Sequence, residues 1–171
     1  MKYFLLIFLF ISSCSGNPVS VKQNTYWDIE GFFRSEVNRF EKSKPIVNKT
    51  VSRNGSKETR SIDNINWNTE LSLFIESDIN KPAWKDSYKV INNKNEVTYK
   101  ASDSSLRTQR IHLTKDAKGG IKKIWIVNKT SNMLYNSSEE LLYITDSIYT
   151  ITKKQHVVLI GDNQYKISGI F

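Results

Sequence analysis

The chain is poor in several of the residues that most often carry chemistry. Cys14 is the only cysteine among 171 residues, so no disulfide can form within the chain, and zinc sites built on several thiolates are excluded. Histidine occurs only as His112 and His156, neither inside a recognisable motif, which leaves nucleophilic catalysis without an evident base. Three prolines and seven glycines are too few for a collagen-like or low-complexity chain. Gly119-Gly120 lacks the lysine-serine pair that a phosphate-cradling loop requires. No long apolar run exists. The one at the start, Tyr3 to Ile11, is nine residues, a helical rise of about 14 Å against a hydrocarbon core of about 30 Å, so it cannot span a bilayer.

That short run is nevertheless informative. It follows Met1-Lys2 and gives way to the small residues Ser12 and Ser13 before Cys14, the three parts of a secretory signal. Ile11-Ser12-Ser13-Cys14 resembles the bacterial lipoprotein signal, whose lipobox places an aliphatic residue three before the cysteine and small residues between. The resemblance implies a diacylglyceryl thioether on Cys14, cleavage before it, and acylation (palmitate) of the freed amine. Two or more acyl chains hold a protein stably on a membrane. Ser15 stands where the family's inner-membrane retention signal has aspartate, and residues 16–24 lack the acidic cluster of a surface-export signal. The resemblance therefore implies an outer-membrane, periplasm-facing lipoprotein, similar to small outer-membrane lipoproteins of Bacteroidota. Asp146-Ser147-Ile148 resembles the short O-glycosylation motif of that phylum, on Ser147.

Removal of residues 1–13 as a signal peptide leaves 158 residues, enough for one domain with a real core. Residues 14–24 read as a lipidated flexible tether, being polar with Gly16 and Pro18 and lacking apolar periodicity. Residues 25–171 read as a single α+β domain. The formal charge of +8 would suit a nucleic-acid binder, but an exported chain rarely meets nucleic acid. The expected partners are the membrane itself, anionic lipid head groups, lipopolysaccharide phosphates or an acidic envelope protein.

Tyr26, Ile29, Phe33, Val37 and Phe40 recur at helical spacing, and Thr25 with Asp28 reads as a capping box, which predicts an amphipathic helix ending before Pro45. Asn54-Gly55 between Val47–Arg53 and Ser56–Ile62 predicts a two-residue hairpin. Trp67, Leu71, Phe74 and Ile75 predict a second short helix capped by Asn66. Beyond Asp86, β-branched and aromatic residues between turn signals predict strands at 88–92, 96–102, 106–114, 121–128, 132–135, 141–145, 148–154, 157–160 and 165–170. The expected architecture is α+β: an N-terminal amphipathic helix packed on a curved antiparallel meander sheet.

Candidate sites are few. Strand alternation puts Lys123 beside Trp125, and Lys122, Lys153 and Lys154 lie close in the expected sheet, so these five residues form a candidate head-group or sugar-binding patch. The competing reading has the lysines guarding sheet edges. Carboxylate pairs, the minimum for glycoside hydrolysis, occur at Asp28/Glu30, Glu76/Asp78 and Glu139/Glu140. Asp28 has a helix start to serve, Glu76/Asp78 a helix end, and Glu139/Glu140 read as a solvated turn. No cofactor or metal is expected. The sequence favours a non-enzymatic binding domain. The alternatives are a lipid or lipoprotein carrier, with Phe32, Phe33, Val37 and Phe40 lidding a half-barrel that Trp67 and Trp84 line, or an envelope enzyme acting on glycans.

Overall fold

The computed structural model describes residues 24–171, so Cys14, the leader and most of the expected tether lie outside the described residues. Helix α1 (Ile29–Ser43) carries the anticipated stripe: Ile29, Phe33, Val37 and Phe40 are buried, each contributing about 1.5–3 kcal/mol by leaving water. It begins later than the Thr25 capping box suggested. The cap is Asp28, whose Oδ1 accepts from the Gly31 N–H at 2.9 Å, and a Cβ at residue 31 would collide with that carboxylate. Tyr26 is already committed elsewhere, its N–H bonded to Asn80 Oδ1 at 2.8 Å.

Strands β1 (Val47–Arg53) and β2 (Ser56–Ile62) form the hairpin the sequence implies. Asn54 and Gly55 take φ values of 49° and 92°, the left-handed pair that a tight two-residue turn requires. The second helical stripe is broken into two single turns, α2 (Trp67–Glu70) and α3 (Ser72–Ile75), with Asn66 Oδ1 capping the Thr69 N–H at 3.0 Å. A one-turn 3-10 helix at Pro82–Trp84 leads into the strands. None of the described helices is long and apolar enough to cross a membrane.

The remaining strands are β3 (Tyr88–Asn93), β4 (Glu96–Ala101), β5 (Thr108–Lys115), β6 (Ile121–Ser131), β7 (Tyr135–Ile144), β8 (Ile148–Val157) and β9 (Gly161–Ile170). All pair antiparallel into one nine-stranded sheet ordered β2-β1-β9-β8-β7-β6-β5-β4-β3. Seven strands thus meander, and the early β1–β2 hairpin joins beside the last strand. The α+β class and the meander are present, but the expected curvature is not. The sheet is open: β2 and β3 are its edges and do not meet. β2 guards its edge with Lys57, Glu58 and Arg60, all exposed.

Two further expectations are corrected. Residues 135–144 are one continuous strand, so Glu139 and Glu140 are mid-strand and not in a turn. Val158–Ile160, expected to be extended, form the turn between β8 and β9.

The helices cover one face of the sheet. Tyr99, Ile111, Leu113, Ile124, Ile126, Leu141, Tyr143, Tyr149 and Ile151 point into them and are buried. Phe33 lies 4.7 Å from Phe74 and 5.3 Å from Tyr143 between ring centroids, and Phe40 lies 4.4 Å from Trp67. Among the described residues the buried apolar side chains form one cluster. Strand alternation sends the intervening residues to the other face, which no element covers among the described residues.

Candidate functional site

Three carboxylates with little exposure, Glu36, Glu70 and Glu139, each have a cation with them. Glu36 bonds the Tyr143 hydroxyl and takes Arg39 Nη2 at 2.6 Å. Glu70 accepts from the Tyr149 hydroxyl at 2.7 Å and from Lys49 Nζ at 2.6 Å. Glu139 takes Arg107 at 2.8 Å on Oε2 and Lys153 at 3.1 Å on Oε1. Burial, and then the neighbouring carboxylate, push the Tyr143 and Tyr149 hydroxyls well above their ordinary pKa. The hydrogen bond to Glu36 chiefly raises that of Arg39. Glu36 and Glu70 carried no signal in the sequence beyond one acidic residue on or beside an apolar stripe. Glu36 and Glu70 hold helices to the sheet, and Glu139 ties β7 to β8 and to the loop before β5, with their charges spent on partners inside the protein.

The expected basic patch is divided by the pleat. Lys123, Trp125 and Lys154 belong to the uncovered face, whereas Lys122 shares the parity of buried Ile124, and Lys153 reaches Glu139 beneath the helices. Strands β6 and β8 are interior, so Lys123 and Lys154 guard no edge.

Around Trp125 the open face gathers a different set. Thr98, His112, Trp125 and Leu142 stand in one cross-strand row. The indole N–H donates to Glu140 Oε1 at 2.7 Å, and the Arg110 guanidinium carbon lies 5.8 Å from the ring centroid, a cation–π distance. His112 Nδ1 is 2.8 Å from Thr98 Oγ1, and its Nε2 is 3.6 Å from Glu96. The ring is thus fixed at its edge by Glu140 and flanked by cations. A platform held this way suits stacking of a flat or sugar-like group with anionic substituents. Arg110, His112 and Glu140 were not part of the expected patch; strand alternation from Trp125 was the signal that would have found them.

A polar cleft of about 700 Å³ lies at one end of the sheet, lined by residues that include Asn54, Lys129, Ser138, Lys154, His156 and Gln164. His156 Nδ1 is 2.7 Å from Asp162 Oδ1, both on the surface. The carboxylate pairs do not converge: Glu139 and Glu140 point to opposite faces, Asp28 caps α1, and Glu76 and Asp78 end a helical turn. Among the described residues no three histidine, cysteine, aspartate or glutamate side chains are grouped to hold a metal. Trp67 is 2% exposed and packs against Phe40 and Phe171 as part of the buried core. Ser147 is exposed in the β7–β8 turn, after Asp146 with φ 55°. Comparison of the chain with family models, with curated proteins and with solved structures gives no match.

Proposed function

We propose that the chain is a lipid-anchored outer-membrane lipoprotein, held through Cys14 and facing the periplasm, whose domain binds an anionic envelope glycan on the uncovered sheet face and catalyses no reaction. The observation that carries the binding reading is Trp125. It is an aromatic platform on a surface that no helix among the described residues covers, oriented by Glu140 and flanked by Arg110 and Lys123. A large side chain ordered by hydrogen bonds before any ligand arrives loses little further entropy on binding. The surrounding cations supply attraction to phosphate or carboxylate groups. The lipobox resemblance supports the anchor and the compartment, and the excess of basic residues agrees with an anionic partner.

The phosphorylated core oligosaccharide released from lipopolysaccharide, free of acyl chains, is the probe. Titration into residues 24–171 should change tryptophan emission, and Trp125→Ala should weaken binding about tenfold or more, as base or sugar stacking is worth about 1–3 kcal/mol. Arg110→Gln should weaken it less and flatten its salt dependence. Binding untouched by Trp125→Ala would remove the platform from the reading. Radiolabelled palmitate should enter the full chain and fail to enter Cys14→Ala; equal labelling of both would remove the anchor.

A further inference from the structure

Four connections lie at one end of the sheet: Asn54-Gly55, residues 102–107, residues 132–134 and residues 158–160. Two of them are apolar and stand side by side, with the Val158 N–H donating to the Leu134 carbonyl at 3.1 Å. Met133 is 95% exposed, Leu134 71%, Val158 58%, Leu159 94% and Ile160 76%. A lone apolar side chain on a surface needs no explanation, but five large ones on two adjoining hairpin tips do. Turns ordinarily recruit glycine, asparagine, aspartate and proline. Those at the opposite end of the sheet, 94–95, 116–120 and 145–147, follow that rule and contain no large apolar residue.

Behind the tips, Lys129, Ser138 and Lys154 occupy one cross-strand row on the open face. Their spacing places the backbones of the two lysines about 10 Å apart. Both line the polar cleft.

We propose that the paired tips form a membrane-docking site. Met133, Leu134, Val158, Leu159 and Ile160 enter the hydrocarbon edge of an anionic phospholipid bilayer, while Lys129 and Lys154 meet its phosphates. Two observations select a bilayer as the occupant. An apolar layer backed by a row of cations follows the order of a lipid interface seen from inside, with hydrocarbon first and head-group charge second. The chain also enters the described fold at this same end of the sheet. Tyr26 packs 5.6 Å from Tyr88 between ring centroids, and its hydroxyl accepts from the Tyr88 N–H at 3.3 Å, where β3 begins. The described chain therefore begins at the end of the sheet that carries the tips. Ten residues from Cys14 reach Asn24, a span of at most about 35 Å, so an anchor and the tips can engage one membrane together. Docked this way, the strands stand on the bilayer and the Trp125 face looks sideways into the surrounding space. The site uses none of the residues around Trp125; the choice of a bilayer rests in part on the anchor proposed at Cys14, and the fragment without Cys14 tests the tips apart from it.

Residues 24–171, which hold the buried core described above, test the idea in cosedimentation with vesicles of phosphatidylglycerol mixed into phosphatidylcholine and with vesicles of phosphatidylcholine alone. The fragment should prefer the anionic vesicles. Leu159→Ser should lower binding about tenfold, near the loss expected for one large apolar side chain. Lys129→Gln and Lys154→Gln should each lower binding to anionic vesicles about fivefold and erase the preference when combined. All three substitutions are at exposed positions and should leave the melting temperature unchanged. Trp125→Ala should bind vesicles like the parent, which separates this site from the glycan reading. Vesicle binding that ignores Leu159→Ser would overturn the proposal. So would a fragment that sediments as a dimer and becomes monomeric on Leu159→Ser, because the tips would then cover a second copy.

Discussion

Gly169 lies in β9 directly opposite Tyr149 of β8, and its missing side chain is the space in which the tyrosine ring rests. A Cβ built at residue 169 would fall inside the contact radius of Tyr149 Cε1, Cζ and Oη. Residue 169 has no positive φ, so alanine brings no backbone strain there, and the collision alone decides the outcome. The ring cannot move freely. Its hydroxyl holds Glu70 at 2.7 Å, and its faces pack near Trp67 and Phe171, with centroids at 6.1 and 5.9 Å. Gly169→Ala should therefore cost about 1–3 kcal/mol in overpacking and about 1.5–3 kcal/mol for the lost bond to a charged carboxylate. A combined loss of about 2.5–6 kcal/mol lowers the melting temperature of a domain this size by roughly 5–24 °C. Thermal denaturation followed by circular dichroism measures it. The decisive control is the same substitution with Tyr149→Leu already present, where alanine should be neutral or slightly stabilising. A Gly169→Ala protein that melts with the parent, or one equally destabilised in both backgrounds, would refute the packing explanation.

Two neighbouring carboxylates should behave oppositely. Glu139→Ala leaves Arg107 and Lys153 facing an emptied buried site and should cost about 2–4 kcal/mol in chemical denaturation, while Glu140→Ala should melt near the parent and change only the tryptophan emission of Trp125. Stability should also fall in alkali. Burial, assisted by Glu36 and Glu70, raises the pKa of Tyr143 and Tyr149 above the ordinary 10.0, and burial raises that of Tyr88. In the unfolded chain these groups lose protons near pH 10 while the folded ones keep them. Their contribution is complete below pH 10 and declines as pH rises beyond it. Tyr143→Phe should shallow that decline, and a melting temperature that is flat above pH 10 would contradict the assignment.

Much of the frame was legible residue by residue. Asn54-Gly55 placed the first hairpin and both of its arms, because only residues tolerant of positive φ make that turn. The stripe from Ile29 to Phe40 placed α1, since 3.6-residue spacing has no other reading over that length. Asn66 marked the start of α2 correctly. What failed was the reading of burial from composition. Glu139-Glu140 looks like a solvated pair, yet the pleat turns one inward to Arg107 and Lys153 and the other outward to Trp125. The same pleat separates Lys153 from Lys154 and so divides the expected patch. Val158-Leu159-Ile160 has strand propensity throughout, and only the position of the β8–β9 turn puts it in water. Sequence alternation reveals which residues share a face, but a cation's partner several strands away is invisible until the register is known.

Placing β9 between β8 and β1 has a consequence for assembly. Among the described strands the first hairpin has no neighbour to zip onto until residues 161–170 are available, so β1 and β8 both keep a raw flank until then. Among the described strands β9 is the one that joins the meander to the first hairpin, and it works as a keystone. A chain that cannot close early stays threadable, which fits the export that the proposed lipoprotein signal entails.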